Sequence, residues 1–120
     1  MPSYDFHDYV VHDLMSHVDS IQSRAMFGGW GLYKNNVVFG IIADDQLYFK
    51  VDVTNRKDYE RSGSLPFSYE AAGRKKVMVS YWEVPADVME DREKIEQWIE
   101  RSCNASRRSK RAKPARRRNS

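Results

Sequence analysis

Three histidines, His7, His12 and His17, recur every five residues near the start of the chain, and three carboxylates, Asp44, Asp45 and Asp52, gather farther along. Imidazole and carboxylate are the groups that hold divalent metals and move protons. On a helix turning about 100° per residue, histidines five apart point about 140° from one another, so one metal does not reach all three. Asp8 with His12 and Asp13 with His17 are i, i+4 pairs, which read as helix-stabilising charge pairs. Asp44, Asp45 and Asp52 are explained by turn and cap positions, where a short carboxylate bonds to nearby backbone. Gly28-Gly29-Trp30-Gly31 is the glycine cluster of the chain, but no Lys-Ser/Thr follows it and it sits within a strand pattern. A bulge or the close approach of a helix or a large side chain is the use expected of it, not a phosphate loop. Cys103 falls on the apolar side of a helix, where a thiol is inert. GxSxG, HExxH and SxxK do not occur. No catalytic residue, no metal ligand and no cofactor is therefore expected. The alternative reading is a small-ligand or metal-dependent enzyme built on the Gly28–Gly31 strand with Asp44, Asp45 and Asp52.

The feature whose physics points to a partner is the basic end. Arg107, Arg108, Lys110, Arg111, Lys113, Arg116, Arg117 and Arg118 put 8 cations in the last fourteen residues with no acid, whereas residues 1–106 hold 12 Lys+Arg against 17 Asp+Glu. The formal charge of +3 thus conceals a body of −5 and a tail of +8. Such a run neutralises phosphates and releases their counterions, giving sequence-independent, salt-sensitive nucleic-acid affinity. Its side chains other than the bases are no larger than alanine, asparagine or proline, too little apolar surface to offset ordering entropy, so residues 107–120 are expected to be disordered. Tyr33, Tyr48, Tyr69, Tyr81, Trp30 and Trp82 are dense for so short a chain. A sheet face of aromatics can stack bases, but RNP-type motifs are absent and the body is acidic, so a protein-binding face is the expectation.

The elements that must position these residues follow from periodicity. Phe6, Val10, Leu14, Val18 and Ile21 step by three and four, an amphipathic helix over residues 3–21. Met26–Lys34, Val37–Ala43 and Gln46–Val51 are rich in β formers and are separated by Asn35-Asn36 and Asp44-Asp45, a three-stranded meander with two-residue turns. Asp52 or Thr54 caps a short polar surface helix ending at Gly63. Phe67–Tyr69 and Val77–Trp82 pair about a turn at Ala72-Gly73. Pro85 and Asp91 start the last helical segments, which dock by Ile95, Trp98, Ile99, Ser102 and Cys103 and end near Ser106. The order α-β-β-β-α-β-β-α predicts a two-layer α+β fold, an antiparallel sheet covered on one face by helices, over residues 1–106.

At 120 residues and 41% hydrophobic, the chain supports one core and excludes a multidomain enzyme. Its apolar runs are too short to span a bilayer, it opens without a signal-peptide pattern, and a single cysteine forms no internal disulfide. A cytoplasmic location is expected. An unpaired sheet edge or an aromatic patch would also suit a homodimer.

Met26-Phe27-Gly28-Gly29-Trp30-Gly31-Leu32-Tyr33, Phe39-Gly40-Ile41-Ile42-Ala43-Asp44, Leu47-Tyr48-Phe49-Lys50-Val51-Asp52, Pro66-Phe67-Ser68-Tyr69 and Tyr81-Trp82-Glu83-Val84-Pro85 stand in an order and spacing that resembles the N-terminal domain of the TfoX/Sxy family. The resemblance covers about residues 5–105. It implies competence regulation: a non-enzymatic transcription co-regulator acting with a protein partner, itself a transcription regulator. The family's helical C-terminal domain is replaced here by the basic tail, so the chain resembles the stand-alone N-terminal domains. The resemblance carries no catalytic or ligand residues, and the motif residues enter as determinants of the fold.

Overall fold

The computed structural model describes residues 4–26 and 28–118, with side chains from 5 to 26 and from 28 to 110. Phe27 of the glycine block lies outside the described residues. Helix α1 spans Tyr4–Asp8 and passes into a π-helical turn, Tyr9–Leu14. Six strands follow: β1 Ile21–Met26, β2 Gly29–Lys34, β3 Val37–Ala43, β4 Gln46–Lys50, then, after helix α2 Arg56–Arg61, β5 Pro66–Ala71 and β6 Arg74–Glu83. Helices α3 Ala86–Met89 and α4 Arg92–Arg118 close the chain. All strand pairs are antiparallel, in the order β1-β2-β3-β4-β6-β5. The α+β class is as the patterns require.

The turns form where local chemistry demands. Asn35 (φ 50°) with Asn36 (φ 65°), Asp44 (51°) with Asp45 (58°), and Ala72 (54°) with Gly73 (74°) take the consecutive left-handed conformations of a type I′ hairpin, whose twist matches that of the flanking strands. Asp91 caps α4, its Oδ1 accepting the amides of Glu93 at 3.0 Å and Lys94 at 3.1 Å. Gly63 (φ 72°) closes α2.

Three expectations are corrected. The first helix does not run to Ile21: it stops at Leu14, and Ser20 (φ 64°) reverses the chain into β1, a sixth strand that pairs Ile21–Met26 with Gly29–Lys34. The three- and four-residue steps included Val18 and Ile21, which are inward-facing but not helical; edge pairing with β2 overrides the pattern. Secondly, α2 is not wholly a surface element, since Tyr59 is 1% exposed, packed between Trp98 (4.6 Å between ring centres) and Trp82 (6.5 Å). Thirdly, the last helix does not end near Ser106; α4 continues to Arg118. As far as Lys113 the segment is mostly arginine, lysine and alanine, strong helix formers that extend a helix already nucleated by packing, whereas Pro114 has no amide to bond the Lys110 carbonyl, so α4 loses one backbone bond there.

The core lies between the helices and the face of the sheet carrying Trp30, Leu32, Ile42, Leu47, Phe49 and Trp82, against which Val10, Met15, Val88, Ile95, Ile99 and Cys103 pack. Each such buried side chain contributes roughly 1.5–3 kcal/mol. Between Leu32 and Tyr33 the β2–β3 register slips, leaving Phe39 as the extra residue, and it enters the core edge-on to Phe49 at 5.7 Å. A larger irregularity separates Pro66, opposite Trp82, from Phe67, opposite Met78. Residues 79–81 are thus extra on β6. A bulge bends its strand, and here the outer part of the β5–β6 hairpin becomes an arm that leans over the second face of the sheet.

Candidate nucleic-acid interface

Of the eight cations in the basic run, three have described side chains. Arg107 Nη1 donates to Asn104 Oδ1 at 2.8 Å, one turn back on α4. Lys110 is exposed. Arg108 reaches the body: its Nε donates to Asp52 Oδ2 at 2.7 Å, and its Nη2 donates to Asp52 Oδ1 at 3.2 Å and to Thr54 Oγ1 at 2.7 Å. Arg111, Lys113, Arg116, Arg117 and Arg118 belong to α4 by backbone, and their side chains lie outside the described residues. Asp52 also accepts the Thr54 amide and hydroxyl, at 2.9 and 2.6 Å. Hydrogen bonding from Arg108 is the main cause that lowers its carboxyl to about 2, with the Thr54 bonds adding to it against the cost of burial. Asp52 is therefore not the expected cap of α2. It orders the loop after β4 and fastens the start of the basic run to it. Ser102 makes a second tie one turn and a half earlier, its hydroxyl donating to the Lys50 carbonyl at 2.8 Å.

The carboxylates of the alternative reading are not brought together. Asp44 and Asp45 form the β3–β4 turn, whereas Asp52 lies beyond the opposite end of β4. Among the described residues, no group of three or more His, Cys, Asp or Glu side chains is placed to share a metal ion. His17 donates through Nε2 to the Arg92 carbonyl at 2.9 Å, tying the turn after the first helical segment to the start of α4. Cys103 is fully buried, and burial is the chief cause that pushes its thiol up to about 11.

The π turn has a consequence that the 100° rule missed. A wider turn, closed by the Met15 amide on the Val10 carbonyl at 2.9 Å, moves residues five apart toward one face, and the rings of His7 and His12 stand edge-on at 6.3 Å. His7 stacks on Trp30 at 4.0 Å, donates through Nδ1 to Asp8 Oδ1 at 2.9 Å and shares a hydrogen bond between Nε2 and the Ser23 hydroxyl at 2.7 Å. Ser23, whose segment follows the helical spacing and carries no strand pattern of its own, thereby joins α1 to the edge strand. Asp8 is 60% exposed, so its charge is screened, and the contact fastens two elements.

The second face of the sheet carries no helix among the described residues. Register places Arg24, Gly31, Ile41, Tyr48, Lys50 and Tyr81 on it. Between this face and the β5–β6 arm lies a cavity of about 220 Å³ lined by Met26, Gly28, Gly29, Ile41, Ile42, Ala43, Phe67, Met78 and Tyr81. Gly29 lines the cavity, and a Cβ there would stand 2.0 Å from the Ile42 carbonyl oxygen, so what comes close to this glycine is the backbone of the neighbouring strand, not the expected helix or large side chain. Tyr48, Phe67 and Tyr69 form a ladder, Phe67 edge-on to Tyr48 at 4.8 Å and stacked with Tyr69 at 5.7 Å. Cations lie beside the rings: Arg24 over Tyr33 at 4.4 Å and Lys50 over Tyr81 at 5.1 Å.

Two comparisons bear on this arrangement. The sequence model of the TfoX N-terminal domain matches residues 13–106, which takes in every strand, α2, α3 and the packed part of α4. No curated protein matches the chain.

Proposed function

The chain belongs to the TfoX N-terminal domain family, and from that premise we propose that it is a cytoplasmic, non-enzymatic regulatory domain that binds a protein partner and is held near nucleic acid by the basic end of α4. The observation that carries this reading is the continuity of α4: one helix packs its Ile95, Ile99 and Cys103 face into the core and then carries the basic run out of the family's matched region. A cationic helix anchored in this way supplies local concentration on DNA without sequence choice, since phosphate contacts position but do not specify. Competence regulation as a transcription co-regulator is the role this arrangement suits. The protein partner, a transcription regulator, is assigned to the exposed apolar side chains Leu65, Val77 and Val79 at the outer end of the sheet. The outer edge of β1, which pairs with no strand among the described residues, serves a homodimer.

The test is duplex-DNA binding by fluorescence anisotropy over a salt series. Because Arg108 is committed to Asp52, seven cations remain for phosphates, and the slope of log K against log salt is expected near −6. Substituting Arg111, Lys113, Arg116, Arg117 and Arg118 with glutamine keeps the helix and the Asp52 contact, which truncation at Ser106 would sever. A slope reduced to about −2 supports the reading; an unchanged slope, or no binding by either chain at low salt, overturns it.

A further inference from the structure

The blocks that carry the family resemblance lie far apart in sequence, yet most of the residues lining the cavity and the aromatic ladder come from them: Met26, Gly29, Ile41, Tyr48, Phe67 and Tyr81. A basic run on α4 gives that convergence no role. We propose that the second face of the sheet, with the arm above it, binds single-stranded nucleic acid, one base entering the cavity and its neighbours stacking along Phe67 and Tyr69.

The chemistry of the face selects that occupant. The cavity is almost wholly apolar, and Phe67, Tyr81 and two methionine side chains wall it, surroundings suited to a flat, polarisable ring. A purely apolar partner would need no cations, but here they alternate with the rings. Lys76 lies directly opposite Tyr69, and Arg74 opposite Ala71, on the same side of the arm as Phe67 and Tyr69. Lys50 and Arg24 flank the sheet below. Tyr69 is 42% exposed at the outer rung of the ladder, open to a stacking partner. From Phe67 to Ala71 the arm adds roughly 14 Å of track beyond the cavity, too long for a single nucleotide and suited to a strand whose bases meet rings while its phosphates meet Lys76 and Arg74. The acids of this face, Glu83 and Asp44, sit beside Tyr48, whose pKa is raised chiefly by burial and further by these two charges. The phosphates therefore run along the arm and away from the β3–β4 turn. A duplex does not fit, because its bases are stacked inward and cannot enter a cavity.

The experiment separates this face from the α4 tail by asking for bases and not for charge. The full-length chain carrying glutamine at Arg111, Lys113, Arg116, Arg117 and Arg118 is titrated against a labelled twelve-residue oligothymidylate, an abasic strand of the same length, and thymidine monophosphate as competitor. The base-bearing strand is expected to bind at least fivefold more tightly than the abasic one, the least that one stacked base gives. Tyr69→Leu and Lys76→Gln, both at exposed positions, are each expected to weaken oligothymidylate binding about fivefold, and Tyr69→Leu to leave the abasic strand unaffected. Phe67→Leu, checked for an unchanged unfolding midpoint, should do the same as Tyr69→Leu; if it does not fold, the two exposed variants decide. Equal affinity for the two strands, or competition by the monophosphate at the oligomer's own concentration range, overturns the proposal while leaving the tail reading intact.

Discussion

Replacing Asp52 with asparagine tests how the body holds the basic helix. The substitution keeps an acceptor for the Thr54 amide but removes the charge that Arg108 engages at 2.7 and 3.2 Å. The fall of the carboxyl pKa from 3.8 to about 2 would correspond to about 2.5 kcal/mol at about 1.4 kcal/mol per unit. Arg108 is 39% exposed, so solvent screening reduces the expected loss to about 1 kcal/mol at pH 7. Urea unfolding followed by tryptophan fluorescence should show a midpoint lower by about 0.5 M with an unchanged m-value. A depressed carboxyl contributes fully above its unfolded value near 3.8 and loses its contribution as pH falls through about 2. The gap between Asp52→Asn and the parent chain should therefore be constant from pH 7 to 5 and fall to about half at pH 3. A gap of the same size at pH 3 would refute the electrostatic origin and assign the effect to packing of the loop.

Gly29→Ala should destabilise the fold by about 3 kcal/mol, because its Cβ would meet strand backbone at 2.0 Å and neither strand can give way without losing ladder bonds; a loss under about 0.5 kcal/mol in the same unfolding assay would contradict that close approach. Ala72→Gly should stabilise by about 0.5 kcal/mol, the left-handed cost at φ 54° outweighing the entropy that glycine adds to the unfolded chain, and a lower midpoint would argue against a type I′ turn there. Cys103, buried and raised to about 11, should react with an aromatic disulfide reagent at pH 8 only at the rate of unfolding, so labelling within seconds in native buffer would show the α4 face to be open.

What the residues alone determined was local. Asn35-Asn36, Asp44-Asp45 and Ala72-Gly73 announce their turns because a left-handed backbone is a property of two residues, and Asp91 announces α4 because a cap needs only its next two or three amides. The periodic burial of Ile95, Ile99 and Cys103, the α+β class and the family resemblance were legible for the same reason: each depends on order along the chain. Other features depend on partners distant in sequence. Val18 and Ile21 continue a helical spacing, and only pairing with Lys34 shows that Ile21 belongs to a strand. His7 and His12 come together because a π turn, not an α turn, accommodates Val10 and Met15 in the core. Arg108 reads as one more tail cation until Asp52, 56 residues earlier, is seen beside it. Likewise Tyr69 and Lys76 are an unrelated aromatic and base in the sequence, and it is the antiparallel register of the arm that sets them on one face. Tertiary structure decided these because side-chain chemistry acts through space, and spacing along a chain fixes distance only within a turn or a hairpin.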